Sequence, residues 1–119
     1  YYSHQLYGIG SSIMEIRYPF KQTNEKLEKK ILDDDAVMIN HMILNKGDSL
    51  PEHYSNSNVY MIVVRGTVTL QLEDNIAKKY ENGSIVNIPY NVKMHVSNSD
   101  AEQLEFFVVK APSPRLYPA

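Results

Sequence analysis

Four histidines and no cysteine limit the chemistry open to this 119-residue sequence. Without thiols there is no disulfide, thiolate zinc site or thiol nucleophile, so a metal would need His, Asp, Glu, Met or backbone oxygen. The imidazole set among other polar groups is His53, in GDSLPEHYSNSNVYMIVVRG (47–66), with Ser55 two positions on. Because its ordinary pKa lies near neutrality, such a group suits contact with a bound molecule, proton transfer or metal ligation. A base also needs an orienting partner. Ser55 and Asn40, expected on facing strands, are the candidates, and neither carries the charge of a carboxylate. His95, in VKMHVS (92–97), is the second imidazole of interest.

These side chains must be held by strands. VMINHMIL (37–44), VYMIVVR (59–65), TVTLQLE (67–73), SIVNIP (84–89), VKMHVS (92–97) and QLEFFVVK (103–110) are β-branched, alternating runs separated by short polar or glycine turns. That rhythm predicts an all-β, antiparallel single domain. A further strand is expected to end at Asp33, Asp34 and Asp35, and AKKY (77–80) leads into the turn ENG. Alternation places Met38, Asn40, Met42 and Leu44 on one face of 37–44, and Val37, Ile39, His41 and Ile43 on the other. Both faces are largely apolar, so the outer one is expected to be covered by another part of the chain or by a second subunit. The latter is the basis for expecting a homodimer that covers Val37, Ile39 and Ile43.

Length and charge narrow the classes further. A chain of this size buries about two thirds of its unfolded surface and sustains one core. Fourteen acidic against twelve basic residues give a formal charge of −2, with no basic run dense enough to follow a phosphate backbone, so nucleic acid is not expected as a partner. The longest apolar run, VYMIVV (59–64), is far short of a membrane span. A soluble cytoplasmic protein is the expectation. Residues 1–13, including His4, lack a steady apolar period and are read as a tail outside the domain, with Met14 a natural initiator. The domain is expected over 14–112, and the proline-rich 113–119 is read as a C-terminal tail.

Two spacings then identify a family resemblance. Gly47, five residues, His53, one residue, Ser55, three residues, Val59, six residues and Gly66 form the first. Gly83, five residues, Pro89, one residue, Asn91, two residues, Met94, three residues and Asn98 form the second. Both resemble the motifs of the cupin superfamily, and the resemblance implies a small jelly-roll barrel of two sheets. Metal-binding cupins carry His, His and Glu in the first motif and His in the second. Here those positions hold His53, Ser55, Val59 and Met94, so the resemblance implies a degenerate metal site.

Moving the second motif by one residue would bring in His95. However, alternation puts Met94 and Val96 inward and His95 outward. Valine cannot ligate, neutral serine is a poor ligand, and a thioether prefers soft Cu(I). No metal cofactor is therefore expected. The ligand-binding set is His53, Ser55, Asn40, Met94, Met61, Phe106 and Val108, an apolar lining with a few polar groups. The methionines are most simply core filling. Tyr54 and Glu52 are most simply solvated at the rim. The expected function is that of a metal-free barrel binding a small molecule, and an enzyme is disfavoured. The alternatives are a metal-dependent dioxygenase or decarboxylase using His53 and His95 with a divalent transition metal, and a metal-free isomerase or epimerase with His53 as base.

Overall fold

Alternation of inward apolar with outward side chains forms the walls of the molecule. The computed structural model describes residues 14–118, so the segment 1–13 read as a tail, and His4 within it, lie outside the described residues. Nine strands follow in order: β1 (Leu27–Asp33), β2 (Met38–Leu44), β3 (His53–Tyr54), β4 (Val59–Arg65), β5 (Thr67–Leu72), β6 (Lys78–Glu81), β7 (Ile85–Ile88), β8 (Lys93–Ser97) and β9 (Leu104–Lys110). A 3-10 turn at Pro114–Leu116 comes last. The strands form two antiparallel sheets, β1-β2-β9-β4-β7 and β3-β8-β5-β6, in the jelly-roll arrangement.

The inward-facing positions make one core. Met42 and Leu44 of β2, Val59, Met61 and Val63 of β4, and Leu104 and Phe106 of β9 come from the first sheet. Val68 and Leu70 of β5 and Met94 and Val96 of β8 close it from the second. Burying a side chain of this size contributes roughly 1.5–3 kcal/mol, which makes the face-to-face packing of the sheets the main favourable contribution.

Turns set the register. Asp34 Oδ1 accepts from the N–H groups of Ala36 and Val37 at 3.0 and 3.1 Å, closing the β1–β2 hairpin. Gly66 sits at φ 76°, and a Cβ there would collide with the Gln103 carbonyl oxygen, so both backbone conformation and space exclude a side chain. Asn91 adopts φ 66°, the left-handed conformation that Asn tolerates best after Gly. Asn98, fully buried, donates to the carbonyls of Leu44 (3.1 Å) and Glu102 (2.9 Å) and accepts from Asp100 N–H, tying the end of β2 to the β8–β9 loop.

The outer face of β2 is covered largely by the chain itself. His41 is fully buried, stacked on Phe107 at 4.6 Å, and Phe20 from the segment before β1 meets both rings edge-on. His41 Nε2 lies 2.7 Å from Glu105, whose other carboxylate oxygen takes Arg65 at 3.2 Å. Ile43, assigned from sequence to a subunit contact, is fully buried within this one chain. That assignment is corrected: Ile43 is already out of water within the chain, flanked in register by Leu27 of β1 and Glu105 of β9. Beyond Pro112 the chain docks on the β1–β2 turn. Ser113 N–H donates to Asp35 O, and Arg115 pairs with Asp33 and Asp35.

Candidate functional site

A hollow of about 90 Å³ opens between the two sheets. Its floor comes from the inward positions of several strands: Met42, Val59, Met61, Met94, Val96 and Phe106, all nearly or fully buried. Its mouth is polar. His53 and Asn56 are exposed there, and Asn40 and Lys110 are half-buried. A bound water occupies about 30 Å³ of liquid, and a dry cavity of about 150 Å³ accepts benzene. An occupant of this hollow is therefore smaller than benzene or projects through the mouth.

His53 is held by the two-residue strand β3, opposite Met94 of β8. Its Nδ1 lies 2.9 Å from the Pro51 carbonyl oxygen. A carbonyl only accepts, so Nδ1 is the donor here, and in the neutral imidazole Nε2 is then the nitrogen that carries the lone pair. The group that orients the imidazole is thus Pro51 O, and not Ser55 or Asn40 as the sequence suggested. It was invisible in the sequence because a backbone carbonyl has no residue type.

Ser55 lines the hollow, yet its hydroxyl is committed to structure. Oγ donates to Pro89 O at 2.5 Å and accepts from Val92 N–H at 2.9 Å. The backbone of Ser55 bonds the same turn, to Val92 O and from Asn91 N–H, each at 2.8 Å. With its one proton used, Ser55 cannot donate to a bound molecule. Ser55→Ala should cost about 1–3 kcal/mol by removing two part-buried hydrogen bonds that hold the 89–92 turn, measurable as a lowered denaturant midpoint at unchanged slope.

Asn40, Met61, Met94, Phe106 and Val108 all reach the same hollow. His95 does not. It lies on the outward side of β8, opposite Gln71, in a separate surface hollow with Ser49, Leu50, Pro51 and Glu52. Among the described residues no three His, Cys, Asp or Glu side chains gather in a way that could hold a metal. The four positions that the motif resemblance would give to metal ligands hold one imidazole, one committed hydroxyl, a valine and a thioether. These donors do not fit a divalent transition metal.

Lys110 is the residue the sequence reading missed. It ends β9 on the same side as Leu104, Phe106 and Val108, and the alternation that placed Phe106 and Val108 inward reaches it two residues later. Burial, and next the nearby Lys30 charge, hold its ammonium below its ordinary pKa of 10.5. The unfolded chain therefore binds more protons between the lowered value and 10.5, and stability rises as pH climbs through that window. Lys110→Met should raise the Tm near neutral pH, with the gain shrinking as pH approaches 10.5, in thermal melts taken across pH.

No family model matches this sequence. An uncharacterised protein of Methanocaldococcus jannaschii is 44% identical over 104 residues, covering 87% of this chain and 90% of that protein. The crystal structure of an RmlC-like cupin family protein with a double-stranded β-helix fold, from the same organism, superposes with a TM-score of 0.84 at 43% identity, covering 88% of this chain and 97% of the other. This chain belongs to the cupin family. A cupin superfamily protein from Desulfitobacterium hafniense superposes at TM-score 0.66 with 12% identity, covering 80% of this cupin and 84% of its own chain. At that identity the likeness speaks for the shared fold alone. Among the described residues of the cupin no helix is long and apolar enough to cross a membrane.

Proposed function

We propose that this cupin is a metal-free barrel that binds a small molecule in the hollow between its sheets. The observation that carries the reading is the hollow itself, with a buried apolar floor, a polar mouth, and Ser55, Val59 and Met94 in place of three metal ligands. Small-molecule sites combine these features: apolar walls for affinity and a few polar groups for orientation. Elemental analysis of untagged protein, with native mass spectrometry for a co-purified molecule, tests it. A small organic adduct without stoichiometric metal is expected. One equivalent of a transition metal would overturn the reading.

A second reading gains one observation. Lys110 reaches the same hollow as His53, so an imidazole with a free Nε2 and an ammonium face one space, the kind of pair an isomerase or epimerase needs. Exchange of solvent deuterium into a carbon acid bound there, lost in His53→Ala, would favour it over simple binding.

A cytoplasmic homodimer is part of the same proposal. The outer face of the five-stranded sheet carries Ile62 beside Phe107 and Ile85 in register, with Val64 47% and Ile85 67% exposed. Rows of this kind favour cover by a second copy. Val64→Lys with Ile85→Lys should convert a dimer to a monomer in sedimentation. A native protein that sediments as a monomer at tens of micromolar would refute it.

A further inference from the structure

Depth and charge in the hollow run in the same direction. The deepest side chains, Met61, Met94 and Phe106, are at most 4% exposed and wholly apolar. At the mouth stand two amides, Asn40 and Asn56, the imidazole of His53, and Lys110. Among the described residues no carboxylate lines this space. The Lys110 ammonium has no hydrogen-bond or ion-pair partner among the described residues, although other lysines of the chain pair with acids. Its neighbour Lys30 is taken by Asp33 at 3.3 Å, so it adds positive potential without offering Lys110 a partner.

A half-buried cation facing an apolar cavity is a costly arrangement when the cavity is empty. An anion at the mouth removes that cost by completing the ion pair, and the amide N–H groups of Asn40 and Asn56 can donate to it as well. The floor below takes only hydrocarbon. The occupant that satisfies both ends within about 90 Å³ is an amphiphile of a few carbon atoms with one negative end.

We propose that the hollow is a site for short-chain carboxylates, with the carboxylate at the mouth on Lys110 and the alkyl group on the floor between Met61, Met94 and Phe106. This inference rests on the reading of the hollow as a small-molecule site. Lys110 is its specificity-determining residue: it selects for charge, while the floor selects for size. The site separates an acid from its neutral isostere because only the acid completes the ion pair.

Titration with isobutyrate and isobutyramide, two probes of nearly equal shape, tests it by amide NMR on native protein, Lys110→Met and Lys110→Arg. Isobutyrate should shift the signals of Met61, Met94 and Lys110 and bind at least tenfold more tightly than isobutyramide. Lys110→Met, whose fold is checked by its own spectrum, should lose that tenfold preference, and Lys110→Arg should keep most of it. Inorganic phosphate, which has no alkyl group, should compete weakly. Equal binding of acid and amide, or an unchanged preference in Lys110→Met, would overturn the inference and leave the small-molecule reading intact. Phosphate as tight as isobutyrate would also overturn it, by showing a plain anion site. If neither probe moves the floor signals, the inference and the small-molecule reading fall together.

Discussion

Phe106→Ala should destabilise the protein by about 3–5 kcal/mol and open the hollow to larger molecules. Phe106 is fully buried in β9, packs in the central core cluster and forms part of the floor. Its removal loses the transfer free energy of the ring and leaves a cavity, because a β-sandwich wall held by ladders on both sides of β9 relaxes little. Cutting a core leucine to alanine leaves roughly 150 Å³, enough for benzene, and a phenyl ring is larger than the leucine side chain. The variant should therefore gain thermal stability from added benzene, by mass action on the folded state, while the native protein does not. Denaturant titration gives the stability loss and melts with benzene give the gain. A native-like Tm in the variant would show that Phe106 is not a wall of the core.

Val59→Glu should cost roughly 1–3 kcal/mol, since Val59 is 1% exposed and Lys110, opposite it in register on β9 and lining the same hollow, offsets only part of the cost of burying the new carboxylate. The loss has a specific remedy. His53 keeps Nε2 free and donates Nδ1–H to Pro51 O, the second-shell arrangement that favours a metal-ligating imidazole, and Met94 stands opposite it in register. Val59→Glu combined with Met94→His would supply, with His53, three donors around one space. Ser55 is left untouched because its hydroxyl holds the Pro89–Val92 turn. Added Zn2+ should raise the Tm of the double variant well above its metal-free value and leave each single variant unmoved, because affinity depends on several placed donors acting together. A double variant that folds and ignores Zn2+ by calorimetry would mean that these positions do not converge.

Much of this fold can be read in the sequence, for a physical reason. One face of each long strand meets the core, so apolar residues recur every second position and fix both strand and inward side. The run VYMIVVR coincides with β4, and QLEFFVVK overlaps all of β9. The same rule placed His95 outward, where it lies. What escaped the sequence depends on contacts between distant residues or on chemistry without a residue type. β3 has only two residues, too few to alternate, and it carries His53. The commitment of Ser55 needs a carbonyl 34 positions away. The cover over His41 comes in part from Phe20, in a segment without regular structure and with no period that would announce a packed face. Lys110 escaped for a different reason. A charged residue at a strand end reads as a solvated cap, although alternation had already assigned its side.

The claim that this hollow takes a small molecule without a metal is tested most directly by its methionines. Met42, Met61 and Met94 line the hollow, whereas Met14 and Met38 do not, so the five methyl signals of protein labelled in the methionine methyl groups divide into reporters and internal controls. Isobutyrate should move the three reporters and leave the controls in place, and substoichiometric Mn2+ should leave all line widths unchanged. Selective broadening of Met61 and Met94 by Mn2+ would place a metal beside Val59 and contradict the metal-free reading.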